Sequence, residues 1–350
     1  MPPLAIRMRR ILVSRLHDLN VNVFGANNII GGTGTHEGNV ITNSGNEGIN
    51  LSGTSATGTI IQGNIIGLDP DGASGSGNAD VGIAVLSGAH NTTIGGTAPG
   101  AGNVISNNFE GIEINSNNNV VQGNYIGTDI SGTLDRGNRS DDGVEIQNGA
   151  IGNLIGGTVA GAGNLIAFNA RDGVYIASGS GNTVLRNTIH SNAGLGIDLG
   201  TNGVNSNDTG DGDAGANSLQ NFPVITQADL AGTDLTVSGT LDTDGLTTQY
   251  RIEFFGIASG DEDPSNGEGR YYLGSTTVTT DGSGDGSFNN VTLSGVTLGA
   301  GDYVTATATR VEDPGQLGVD DALAYGSTSE FAANVAINLA PTAPTQVINT

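Results

Sequence analysis

The sequence has no cysteine, no lysine and no tryptophan, and aromatic residues make up only 4% of its 350 positions. Without cysteine there is neither a disulfide framework nor a thiolate metal site, so stability is expected to rest on core packing and on oxygen-ligated metal. Without lysine, all eleven basic residues are arginine, and they stand against 35 acidic ones. The resulting net charge of -24 argues against nucleic acid, anionic membrane surfaces and polyuronates as partners, and favours divalent cations. Long apolar runs are missing too: none reaches the roughly 18 residues of a membrane helix, which excludes membrane insertion by that route. In the first twenty residues Ser14, Arg15, His17 and Asp18 interrupt any apolar stretch, so a secretory leader is expected elsewhere.

What is abundant is glycine, at 59 residues, beside asparagine. Many glycines with few aromatics suit an all-β chain of tight turns and small repeated core positions. The chain repeats itself. "IGGTAPGAGNVI" at 94–105 returns as "IGGTVAGAGNLI" at 155–166, and "GNIIGLDPDG" at 63–72 as "GNYIGTDISG" at 123–132. Within this long unit of about sixty residues lies a shorter one, in which Asn-x-Ile precedes a Gly-opened pair of alternating apolar residues. The asparagines are Asn39, Asn64, Asn103, Asn124, Asn164 and Asn187, each two residues before an isoleucine. The apolar pairs are Ile49/Leu51, Ile83/Val85, Ile112/Ile114, Val144/Ile146, Val174/Ile176 and Ile197/Leu199. Short period-two runs bounded by Gly and Asn read as strands, three to a coil, and like residues in register predict coils stacked at roughly 4.8 Å. Stacked asparagines then satisfy one another's amides along a column.

These columns, with the paired "IGGT" boxes, resemble the bacterial right-handed parallel β-helix proteins of the pectin-lyase-like class. The resemblance covers about residues 25–200, six coils, and implies that fold. Residues 1–24 are expected to form an N-terminal cap in which Ile6, Arg10, Ile11 and Leu12 recur at helical intervals. After Leu199 the rhythm stops: 201–221 reads as an acidic linker, and 222–338 shows seven strand-like runs, similar to an immunoglobulin-like sandwich. "LQNFPV", "EFFG" and "DPSNGEGRYYLGS" resemble the segment following β-helices in large bacterial surface proteins. Residues 339–350 are proline-spaced and uncharged, as a linker to flanking domains would be.

Three sets of residues could carry chemistry. "NSNDTGDGDAG" sets Asn207, Asp208, Asp211 and Asp213 on a glycine-bent loop, the oxygen-rich pattern calcium needs. A weaker set is Asp261, Asp263 and Glu268. The aligned coils place Glu113 and Glu145 on the outward side of neighbouring third strands, beside Glu110, Asp141 and Asp142, at the spacing a retaining glycosidase uses. Any two outward residues of a parallel solenoid share that spacing, so a solvated acidic face is the plainer reading of Glu113, Glu145 and Asp142. Lyases of the resembled class use lysine or arginine as base, and the coils offer only Arg136, Arg139, Arg171 and Arg186, all close to acidic neighbours. The Gly-His-Gly and Arg-Ile-Lys boxes of the β-helix galacturonases do not occur.

The sequence therefore predicts an extracellular or cell-surface bacterial module with structural calcium, facing a polysaccharide or cell-surface glycan and working as an adhesive or structural element. A glycoside hydrolase or lyase is the alternative. A periplasmic copper-handling β-helix is a further one, which the scattered His36, His90 and His190 support poorly.

Overall fold

In the computed structural model, which describes residues 5–6, 21–260, 266–317 and 321–340, the first part of the chain winds through three parallel sheets. One sheet has seven strands from Ala5–Ile6 to Thr183–Leu185, a second has six from Val40–Ile41 to Thr188–His190, and a third has seven from Val21–Val23 to Ile197–Leu199. Successive strands of each sheet come from successive coils, which is a parallel β-helix. The register is the one the repeats dictate: Ile41, Ile66, Ile105, Ile126, Ile166 and Ile189 form one inward column, and Leu51, Val85, Ile114, Ile146, Ile176 and Leu199 another. All are buried. No coil could bury this face alone, so burial depends on stacking. Of the expected N-terminal cap, Ala5–Ile6 is a strand paired with Ile29 and Ile30, and residues 7–20 lie outside the described part.

The sixty-residue unit has a structural cause: it is two coils, because long turns alternate between two corners. "IGGT…GN" turns occupy 32–38, 96–102 and 157–163, while the longer excursions at 67–80 and 127–141 leave the opposite corner on the intervening coils. Gly95 explains the first glycine of the box, since at φ +86 any Cβ would run into the Gln122 carbonyl of the next coil. The excursions cover the partly apolar outer side of the second sheet. Ile130 N donates to Gly72 O at 2.9 Å, joining one excursion to the next, and Gly132 lies against Leu165 and Tyr125.

Three asparagine ladders, not one, run along the rod. In the expected ladder each Oδ1 accepts the backbone N–H and the side-chain amide of the preceding coil's asparagine at 2.9–3.0 Å, from Asn39 to Asn187. A second ladder joins Asn78, Asn108, Asn138, Asn169 and Asn192. A third joins Asn119, Asn153 and Asn182 and is continued by Asn217, from the segment expected to be a linker. Such columns supply the partners that buried turn backbone requires.

From Val224 to Leu339 the chain forms two sheets on a shared core that includes Val237, Tyr250, Ile252, Phe254, Phe288 and Val304. One orders Asp285–Ser294, Asp234–Asp242, Val224–Ala231 and Asn338–Leu339; the other orders Tyr271–Thr279, Gln249–Ile257, Tyr303–Val311 and Tyr325–Thr328, with Val335–Ala336 also on Tyr303–Val311. The pairing is antiparallel except at Asn338–Leu339. The strand Tyr325–Thr328 ends where the following residues turn to the β-helix. There Val184 N donates to Thr328 Oγ1, Ile189 N to Gly269 O and Leu199 N to Glu330 Oε1, at 2.9–3.0 Å. Each sheet of the β-helix thus has an N–H of its final strand accepted by the second domain. Phe255 and Phe331 close the end of the isoleucine core, 5.4 Å apart between ring centres. A solenoid end exposes unpaired backbone and apolar core; here the sandwich is what covers it.

Candidate functional site

Two acidic groupings emerge, on different parts of the fold. The first is on the third sheet. Register places Glu113 opposite Glu145 on the next coil, Glu145 opposite Tyr175, and Tyr175 opposite Asp198. At the same offsets Glu110, Asp142 and Asp172 form a parallel column just before the glycines that open the strands. Asp172 N donates to Asp142 Oδ1 at 2.8 Å, and Leu195 N to Asp172 Oδ1 at 2.5 Å, so these side chains serve as backbone acceptors from coil to coil. Glu113 Oε1 accepts from Asn115 Nδ2 at 2.9 Å and Gln147 Nε2 at 2.8 Å; the Gln147 amide also reaches Glu145 Oε2 at 3.1 Å. Gln147 bridges the two glutamates.

Burial of these acids is close to complete for Glu110, Asp142, Asp172 and Asp198, and partial for Glu113 and Glu145. Loss of water penalises the charged form, so the carboxyls hold their protons to higher pH. Burial, reinforced by the Glu145 and Glu113 charges, pushes Glu110 up to about 10. Asp142 rises to about 8, again through burial, against the opposing Asp172 N–H. Glu145 rises to about 7 through burial and the charge of Glu113, and Asp198 to about 6 through burial. Burial also raises Glu113, opposed by its two amide donors. Of the four arginines of the coils, Arg171 pairs with Asp141 at 2.8 Å, while Arg136, Arg139 and Arg186 donate to backbone carbonyls of neighbouring turns.

The second grouping is the 201–221 segment. Oxygens of Asp208, Asp211 and Asp213 lie within 4.8 Å of one another. Asp211 adopts φ +48, its carboxylate accepts Asn221 N at 2.8 Å, and burial beside Asp213 and Asp208 pushes it up to about 7. Asn207, beside them in the sequence, has its amide bonded at both ends to Phe222, at 2.8 and 3.0 Å, fastening the loop to the sandwich. Glu268 stands elsewhere, buried at the end of the second asparagine ladder, where Oε1 accepts from Asn192 N at 3.1 Å and Nδ2 at 2.8 Å. Asp261 and Asp263 lie outside the described residues. A purely carboxylate donor set fits calcium or magnesium. His36 lies in a turn, His90 in an isolated bridge with Thr57, and His190 ends the strand Thr188–His190; among the described residues the metal-capable carboxylate group includes no histidine.

Sequence reasoning missed the acids that hold the two domains together. Glu253, fully buried, accepts Arg186 N at 2.8 Å and Arg251 Nε at 2.8 Å; Glu330 accepts Leu199 N, Asn205 N and Asn205 Nδ2. Only their position in apolar sequence, "RIEFFG" and "TSEFAA", hinted at burial. No protein-family model matches the chain, and no curated protein matches it.

Proposed function

We propose that the chain is a rigid, glycan-facing structural or adhesive module of an extracellular or cell-surface bacterial protein, related to the right-handed pectin-lyase-like β-helices and continued by an immunoglobulin-like sandwich. The observation that carries this reading is the joint. Hydrogen bonds from all three sheets, two asparagine ladders and one aromatic plug make the β-helix and the sandwich a continuous body, which suits a spacer or a binding rod. The outward column of the third sheet offers Glu113, Glu145 and Tyr175 at strand spacing, with Asn50 beyond Ala84, a row of hydrogen-bonding groups for sugar hydroxyls. The test is retention on a panel of neutral polysaccharides with assay of new reducing ends. Retention without cleavage is expected; cleavage would move the function to hydrolysis, and no retention on any glycan would remove it.

One observation favours cleavage as a second reading. Glu113 and Glu145 are in register on adjacent coils, and Glu145, near pKa 7, is suited to give a proton, while the two amides on Glu113 favour its charged form against the burial that raises it. If so, Glu145→Gln abolishes turnover while leaving the melting temperature intact.

We also assign a structural calcium ion to Asp208, Asp211 and Asp213. Asp211→Ala is expected to lower the melting temperature in calcium and to leave it unchanged in chelator. Equal shifts in both media would discard the ion.

A further inference from the structure

Where the sandwich meets the last coil there is an open groove of about 350 Å³, lined by Thr188 of the β-helix and by Arg270, Tyr271, Tyr272, Ser294 and Thr297 of the sandwich. Tyr271 is 41% exposed, and the Arg270 guanidinium lies 5.4 Å from its ring centre. Tyr272 is fixed from three sides: Arg251 Nη2 donates to its hydroxyl at 3.1 Å, Arg186 stacks 4.5 Å from its ring centre, and Phe255 meets it edge-on at 5.7 Å. Opposite, Gly295 turns at φ +76 with nothing within 4 Å of where a Cβ would be, so the rim is open.

We propose that this groove is a subsite for a neutral saccharide. The face of a sugar ring is apolar and its edge is a ring of hydroxyls; Tyr271 supplies a flat apolar surface, while Arg270, Ser294, Thr297 and Thr188 supply donors and acceptors around it. An anionic sugar is disfavoured by the net charge of -24. The anchoring of Tyr272 means the groove exists before ligand arrives, which reduces the ordering cost of binding. The proposal rests on the glycan-facing reading and adds to the third sheet a second location for it, at the joint.

The experiment is calorimetric titration of the full chain with neutral hexasaccharides derived from cellulose, xylan and mannan, with a hexauronate as comparison. The wild type is expected to bind at least one neutral hexasaccharide. Tyr271→Ala is expected to weaken that binding about tenfold, the loss of one ring contact, with the melting temperature unchanged because Tyr271 packs little. Tyr271→Phe, which keeps the ring, is expected to bind like the wild type. If Tyr271→Ala and Arg270→Ala bind normally while Glu113→Gln/Glu145→Gln does not, the groove is excluded and the glycan reading stands on the third sheet. Tighter binding of the hexauronate overturns the choice of a neutral ligand, and no binding of any hexasaccharide by the wild type overturns this site and the broader reading together.

Discussion

A carboxyl taken out of water beside a second carboxyl keeps its proton, and on the third sheet this happens at Glu110 and Asp142. The consequence for stability has a definite sign. In the unfolded chain these groups ionise near pH 4, whereas in the folded protein they ionise near 10 and 8. Their contribution is fully present below about pH 4 and declines as pH rises toward the folded values, by no more than about 1.4 kcal/mol per pH unit for each group. The melting temperature should therefore be higher at pH 5 than at pH 8, and Asp142→Asn should flatten the slope. A melting temperature that rises from pH 5 to pH 8 would show that these acids are ionised and paired. At this scale the sequence was informative where register alone decides the neighbours, as for Glu113 and Glu145. It was uninformative for Glu268 and Asn207, whose partners depend on how a second domain lands. Both resemble calcium ligands in composition, and each also bonds across the fold, Glu268 to Asn192 and Asn207 to Phe222.

At the scale of elements, the asparagine ladders set the turns. Asn124 accepts from Asn103 through two donors and gives its own amide to Ile94 O, Gln122 O and Asn164 Oδ1, all near 3 Å. Replacing it by alanine strands buried groups on both neighbouring coils. At about 1–3 kcal/mol for each donor left unpaired, Asn124→Ala is expected to cost about 3 kcal/mol or more, read from the denaturant midpoint. A loss below about 1 kcal/mol would mean that water replaces the ladder. The first ladder was legible because its asparagine always precedes isoleucine by two positions. The second was hidden because its spacing varies: the chain takes the long excursion from Ile66 to Asn78 but only a short turn from Ile105 to Asn108. Periodicity in space does not require periodicity in sequence when loops absorb the difference.

For the whole molecule, the two folding patterns were visible in the sequence, since the isoleucine columns and the long alternating strands differ in rhythm. Their union was not, because it is made by single residues: Asn217, Glu253, Glu268, Thr328, Glu330 and Phe331. A chain ending near residue 200 would leave the final strands and the isoleucine core uncovered, so it is expected to aggregate or unfold when expressed without the sandwich. Glu330 itself is pushed up to about 7 by burial, which ties the joint to the same pH window as the acidic sheet. The most direct test of the account is scanning calorimetry of the intact chain and of Glu330→Ala. One cooperative transition, shifted as a whole to lower temperature by the substitution, is the expected result. Two separate transitions, with the β-helix melting unchanged in Glu330→Ala, would contradict the continuous rod on which the proposed function stands.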